Sequence, residues 1–142
     1  MAHVWINLPQ DDDGYPPFTE EQLHTTPVGP NLHRVEATPA FAYGIAVGDV
    51  LRTQSVEDDS EWVTEVAEQG NHWCSRIVPL NGTETQRIVD LMASMGGTAV
   101  GTTYGLVTVD FEAGVDSKHV LAELQAGREA GDWDYDLGVK PT

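Results

Sequence analysis

The stretch WCSRIVPLNGTETQRIVDLMASMGG, residues 73–97, decides the fold. Residues 73–80 form an apolar run with tryptophan, isoleucine and valine, the side chains that suit a pleated surface, so they are expected to form a strand. Asn81-Gly82 punctuates the run. Thr83 and Gln86 then stand at capping-box spacing, and Ile88, Leu91, Met92 and Met95 recur as one apolar stripe, which predicts a helix beginning at Thr83. Gly96 and Gly97 end it. A strand thus passes directly into an amphipathic helix.

Towards the C-terminus, residues 98–103 and 106–111 read as two strands around a tight turn at Tyr104 and Gly105. Asp116 is a good N-cap for a second helix, Val115 and Val120 stand at hydrophobic-staple spacing, and Val120, Leu121 and Leu124 supply its buried face. Gly127 is expected to weaken its last turns. Residues 133–137 alternate Trp133, Tyr135 and Leu137 against Asp134 and Asp136, the period of a strand with one aromatic and one anionic face. The order β, α, β, β, α, β predicts a ferredoxin-like unit, two helices on one face of a four-stranded antiparallel sheet.

Towards the N-terminus the pattern is strand-rich. Val4, Ile6 and Leu8 alternate with polar neighbours and Trp5. Residues 23–28 and 32–37 read as a hairpin turning near residues 29–31, and residues 50–54 and 62–67 as a second hairpin across a charged loop. The expectation is therefore an α+β chain: residues 1–72 a small curled antiparallel β module, residues 73–142 the ferredoxin-like module, packed as one compact unit.

Composition narrows the function classes. Hydrophobic residues make up 40% of the 142, and the single cysteine, Cys74, has no intrachain partner. The apolar stretch at residues 40–47 is far shorter than the roughly 18 residues of a membrane-spanning helix. The first residues lack the basic and apolar regions of a secretion signal, and a cytoplasmic location is expected. Against 7 basic residues stand 23 acidic ones, a formal net charge of −16. Such a chain repels nucleic acid and anionic bilayers and favours a basic protein partner.

Two runs carry a resemblance: Thr38-Pro39-Ala40-Phe41-Ala42-Tyr43-Gly44-Ile45-Ala46-Val47-Gly48-Asp49-Val50 and Gly101-Thr102-Thr103-Tyr104-Gly105-Leu106-Val107-Thr108-Val109-Asp110. With them, most of the chain resembles a family of bacterial proteins known only as a domain of unknown function. The resemblance implies a bacterial, cytosolic setting and brings no catalytic or ligand residues.

Candidate chemistry is sparse. Asp11, Asp13, Gly14 and Glu20 match part of a calcium loop, but Pro9 holds the first ligand position, Pro16 and Pro17 interrupt the loop, and a strand precedes it, so a solvated acidic loop is expected. His72 and Cys74, two apart, project to one face of a strand; with Asp49 they define a hypothetical Cys-His-Asp triad. No zinc-finger spacing accompanies them, and neither metal nor cofactor is expected. The Gly44-to-Asp49 run lacks the lysine and hydroxyl of a phosphate loop and reads as a turn.

Two function classes remain. In the first, the protein is a non-enzymatic inhibitor, an immunity protein or antitoxin that presents carboxylates to a basic toxin such as a nuclease, through Asp11, Asp12 and Asp13, through Glu57, Asp58, Asp59 and Glu61, and through Asp132, Asp134 and Asp136. In the alternative, it is a small enzyme or small-molecule receptor with a pocket between the modules, near Tyr43, His72, Cys74 and Tyr104.

Overall fold

The computed structural model describes residues 3–56 and 58–142. The chain divides into a first unit that ends at Asn71 and a second, His72–Thr142, and each builds its own sheet. The fold is mixed α+β, with a curled N-terminal sheet and a second sheet that carries the helices.

In the first unit, β1 (Val4–Asn7), β2 (Glu20–Leu23), β3 (Thr25–Gly29), β4 (Leu32–Val35), β5 (Val50–Ser55) and β6 (Glu61–Glu68) form a sheet in the order β2-β1-β6-β5-β4-β3. The two edge strands, β2 and β3, are separated in sequence only by His24. A covalent step of two residues spans at most about 7 Å, so the sheet rolls until its edges meet. The expected single strand over residues 23–28 is thereby replaced: Leu23 closes one edge and Thr25 opens the other.

One pairing departs from the antiparallel expectation. β1 runs parallel to β6, with Val4 opposite Glu61 and Trp5 opposite Trp62. The gain is visible in the side chains: the pairing stacks the two indoles at 6.2 Å between ring centroids. Val4, Leu23, Val35 and Leu51 are buried with His33 and Thr53 on the inner face of the roll. The outer face carries the row Gln22, Trp5, Trp62, Gln54, each opposite the next in register across β2, β1, β6 and β5.

Carboxylates fix the long segment between β4 and β5. Glu21 accepts the backbone N–H groups of Ala40, Phe41 and Ala42 at 2.6, 3.1 and 2.9 Å. Asp49 accepts from the N–H of Ala46 at 2.9 Å and from that of Gly70 at 2.8 Å. Gly70 must be glycine at this point, because a Cβ would stand 2.5 Å from the carbonyl carbon of Gly48.

In the second unit, β7 (Trp73–Pro79), α1 (Thr85–Ser94), β8 (Thr98–Gly101), β9 (Val107–Phe111), α2 (Ser117–Ala130) and β10 (Trp133–Val139) follow the expected order. The sheet order is β10-β7-β9-β8 and every pair is antiparallel. Ile88 and Met92 of α1 and Val120 and Leu124 of α2 join Trp73, Ile77, Val107, Val109, Phe111 and Trp133 in one core, so both helices lie on the face from which these sheet residues project.

Two helix ends differ from the sequence reading. α1 is capped at Glu84 without a side-chain bond. Asn81 and Gly82 both take left-handed φ values, and Thr83 N–H closes their turn on Leu80 O at 3.0 Å, so Thr83 is spent before the helix starts. Gln86 bonds Asp90 instead of a cap. Gly127 lies inside α2 and makes room for Trp133, whose ring carbon would be 2.0 Å from a Cβ. The left-handed end of α2 is Gly131. Asp116 caps as expected, accepting from His119 N–H.

Candidate functional site

On β7, residues alternate between the helix-covered face, with Trp73 and Ile77, and the opposite face, with Cys74 and Arg76. Register sets Cys74 opposite Asp110 on β9 and Arg76 opposite both Thr108 and Asp136. These side chains and His72, just before β7, form a polar strip on the face of the sheet away from its apolar core.

The strip is organised by two hydrogen-bonded pairs. His72 Nδ1 lies 2.9 and 3.0 Å from the two oxygens of Asp110, with the side chains 24% and 12% exposed. Burial pushes the Asp110 carboxyl above the usual range, and the bond to His72 only partly offsets this. Arg76, buried, places Nε 2.8 Å from one oxygen of Asp136 and Nη2 3.3 Å from the other, a two-point grip. Cys74 is buried between them, and burial pushes its thiol up to about 11.

Chemically, an imidazole whose Nδ1 is held by a carboxylate keeps Nε2 for proton exchange, the orientation that general bases use. Among the described residues His72 Nε2 makes no hydrogen bond. The triad partner is Asp110 and not Asp49, whose two oxygens are occupied by Ala46 and Gly70. Burial keeps the Cys74 thiol, with its pKa raised to about 11, protonated at neutral pH. No three His, Cys, Asp or Glu side chains among the described residues are grouped to hold a metal ion.

Of the alternative pocket's residues, His72 and Cys74 share this strip. Tyr104 is exposed at the turn before β9, the end of that strand away from Asp110. Tyr43 is exposed in the first unit.

The acidic residues do not gather. Asp11, Asp12 and Asp13 are exposed in the loop after β1, where Asp11 accepts the N–H groups of Asp13 and Tyr15 at 2.9 Å each. Asp58 and Asp59 are exposed in the loop before β6, and the parallel register puts that loop beside the start of β1, the opposite end of the strand. Asp58 accepts from the N–H and the hydroxyl of Ser60. Glu61 turns inward, 3.0 Å from His33 Nε2 and 2.6 Å from the Thr53 hydroxyl. Glu57 lies outside the described residues.

In the second unit, Asp132, Asp134 and Asp136 are paired with Arg87, Arg128 and Arg76. The strand expected to carry an anionic face carries a neutralised one.

The profile of a family described as a domain of unknown function, DUF4265, matches residues 21–135. The chain belongs to this family. The likeness seen in the sequence is borne out, since both runs that carry it, residues 38–50 and 101–110, fall inside the match to DUF4265. The DUF4265 match also spans Glu21, Asp49, His72 and Asp110, and leaves Trp5, the loop at residues 11–13 and Asp136 outside. A crystal structure of a hypothetical protein from Neisseria gonorrhoeae is similar in fold, with a TM-score of 0.81 at 15% identity, covering 99% of this chain and 96% of that one. No curated protein matches the chain.

Asp110 was not singled out by sequence reasoning. The available signal was the alternation Val107, Val109 and Phe111 against Thr108 and Asp110, which puts the acid on the same face as a residue of the neighbouring strand but does not name which one. Glu21 and Arg76 likewise gave no motif, because their partners come from distant segments.

Proposed function

We propose that the protein works by binding a basic protein partner, as an acidic inhibitor of the immunity-protein or antitoxin kind. One observation carries this reading. Five of the seven basic residues, Arg34, Arg52, Arg76, Arg87 and Arg128, lie within 3.1 Å of one of the chain's own carboxylates. Beyond those five carboxylates the sequence holds 18 further acids against two lysines, 23 minus five against seven minus five, although Glu21, Asp49, Glu61 and Asp110 among them are bonded within the fold. Such an excess steers a cationic cleft towards the protein and competes with the phosphates the cleft would otherwise hold. The exposed loops of Asp11, Asp12 and Asp13 and of Asp58 and Asp59 suit it best. A cytoplasmic, bacterial setting accompanies this reading. No helix among the described residues is long and apolar enough to cross a membrane.

The test is affinity capture with the full chain from its native organism, followed by titration of the purified captured protein. Binding is expected to weaken by an order of magnitude or more between about 50 and 500 mM salt, because exposed charges are screened within a few ångströms at the upper value. Asn at positions 11, 12, 13, 58 and 59 is expected to weaken it further. Salt-insensitive capture, or capture that these five substitutions leave unchanged, counts against the reading.

A second reading, a small enzyme or small-ligand receptor, is favoured by the Asp110-held imidazole of His72 with its unengaged Nε2. Perturbation of the His72 imidazole NMR signals by a small-molecule library tests it, and silence at His72 opposes it. The second unit itself we read as ferredoxin-like. Its order β10-β7-β9-β8 and the two helices on one sheet face support that assignment.

A further inference from the structure

The outer face of the rolled sheet presents two tryptophans where polar residues are ordinary. Trp5 and Trp62 are each only half-buried, stacked at 6.2 Å with 25° between their planes, and flanked in register by exposed Gln22 and Gln54. The same alternation puts Asn7 and its partner Glu20 on this face, and beyond them the exposed pair Arg52–Glu65, 2.7 Å apart. Stacked on one another and half-buried, the indoles leave an aromatic surface on the outer face, apart from the buried core that the inner face holds.

Charge states what this face fits. Residues 1–71 contain 13 acidic residues and two basic ones, Arg34 and Arg52. Both are engaged, with Glu36 at 2.9 Å and Glu65 at 2.7 Å. Any residual field over the first sheet is therefore negative, and an aromatic surface in a negative field selects cations. Among cations, guanidinium lies flat on an indole and also reaches carboxylates and amide oxygens through its remaining N–H groups, whereas ammonium is held tightly by water. Trp and Arg are also the residues on which protein interfaces concentrate their binding energy.

We propose that the Trp5–Trp62 face, with Gln22, Gln54 and Glu20 around it, is the surface that receives arginine side chains of the basic partner. This rests on the acidic-inhibitor reading and adds the contact point and the preferred cation.

The full chain supplies its own controls. Trp73 and Trp133 are buried in the second unit, and Trp133 Nε1 donates to Leu124 O at 3.0 Å. Hexa-arginine and hexa-lysine, equal in charge, are titrated at 50 mM salt into ¹⁵N-labelled protein, and the four indole N–H resonances are followed, with W5F and W62F assigning two of them. Hexa-arginine is expected to shift the Trp5 and Trp62 resonances and leave those of Trp73 and Trp133 in place. It should bind about two- to fivefold more tightly per stacked guanidinium than hexa-lysine, and W62Q should remove that margin.

If the Trp5 and Trp62 resonances stay still, or hexa-lysine binds as tightly as hexa-arginine, the surface is wrong while the acidic reading stands. If neither peptide binds, both fall. Should W62Q not fold, the wild-type shift pattern and peptide preference decide alone.

Discussion

His33 Nε2 lies 3.0 Å from Glu61 Oε1 inside the rolled sheet, and the same oxygen accepts the Thr53 hydroxyl at 2.6 Å. Thr25 Oγ1 is 3.2 Å from the other ring nitrogen of His33. Strands β3 to β6 are thus tied by one polar chain through an otherwise apolar interior.

Glu61→Ala leaves the His33 and Thr53 donors without that acceptor and is expected to lower stability by about 1–3 kcal/mol at neutral pH. The bonds from Thr53 and then His33 hold the Glu61 carboxyl below its ordinary value of 4.5 despite its burial. A depressed folded value stabilises above the ordinary range and loses that stabilisation as pH falls through the folded value. Urea midpoints between pH 7 and pH 3 should therefore show the wild-type advantage shrinking below pH 4.5.

Asp49→Ala removes the acceptor of Ala46 and Gly70 N–H together. The expected loss is about 2–4 kcal/mol, because two N–H donors, one of them on fully buried Ala46, lose their acceptor together. Hydrogen exchange should speed up at Ala46 and Gly70 first.

Gly127→Ala would gain about 1 kcal/mol in an unpacked helix. Here the added Cβ meets the Trp133 ring at 2.0 Å, so the substitution is expected to destabilise by about 1–3 kcal/mol and to change the Trp133 near-ultraviolet signal. Gly114→Ala, where no atom stands within 4 Å of the new Cβ, is the control and should be close to neutral.

Cys74 should resist alkylation. With its thiol pushed to about 11, the thiolate fraction at pH 8 falls about two orders of magnitude below that of a free cysteine, and burial slows access further. Labelling in buffer against labelling in 6 M guanidinium measures the ratio; equal rates would place the thiol at the surface.

Local patterns carried most of the second unit into the sequence. Each of its strands and helices is a contiguous run with its own period, so Trp133, Tyr135 and Leu137 or Ile88 and Met92 could be assigned without knowing their partners. The misplaced α1 start shows where this ends: Thr83 has capping chemistry, but the turn at Asn81 and Gly82 claims it first. In the first unit the short strands β1 and β2 pair across loops, and no local pattern distinguishes a parallel neighbour from an antiparallel one. The same blindness covered the site. His72 and Cys74 were legible because they are two apart, whereas Asp110 lies 38 residues from His72. The acids at Asp132, Asp134 and Asp136 looked free because Arg87 and Arg128 reach them from another element.

The parallel pairing of β1 with β6 also spans a long distance in sequence. Val4 and Trp5 meet neighbours, Glu61 and Trp62, that lie 57 residues further along the chain in each case. Without that contact β1 holds only β2, a pairing of four residues on each side and too small to persist alone in water. The pairings of β3 with β4 and of β5 with β6 close short loops, whereas the place of β1 beside β6 depends on closing a far longer one. The stacked indoles of Trp5 and Trp62 are therefore the clasp of a loop that no neighbouring residues could close.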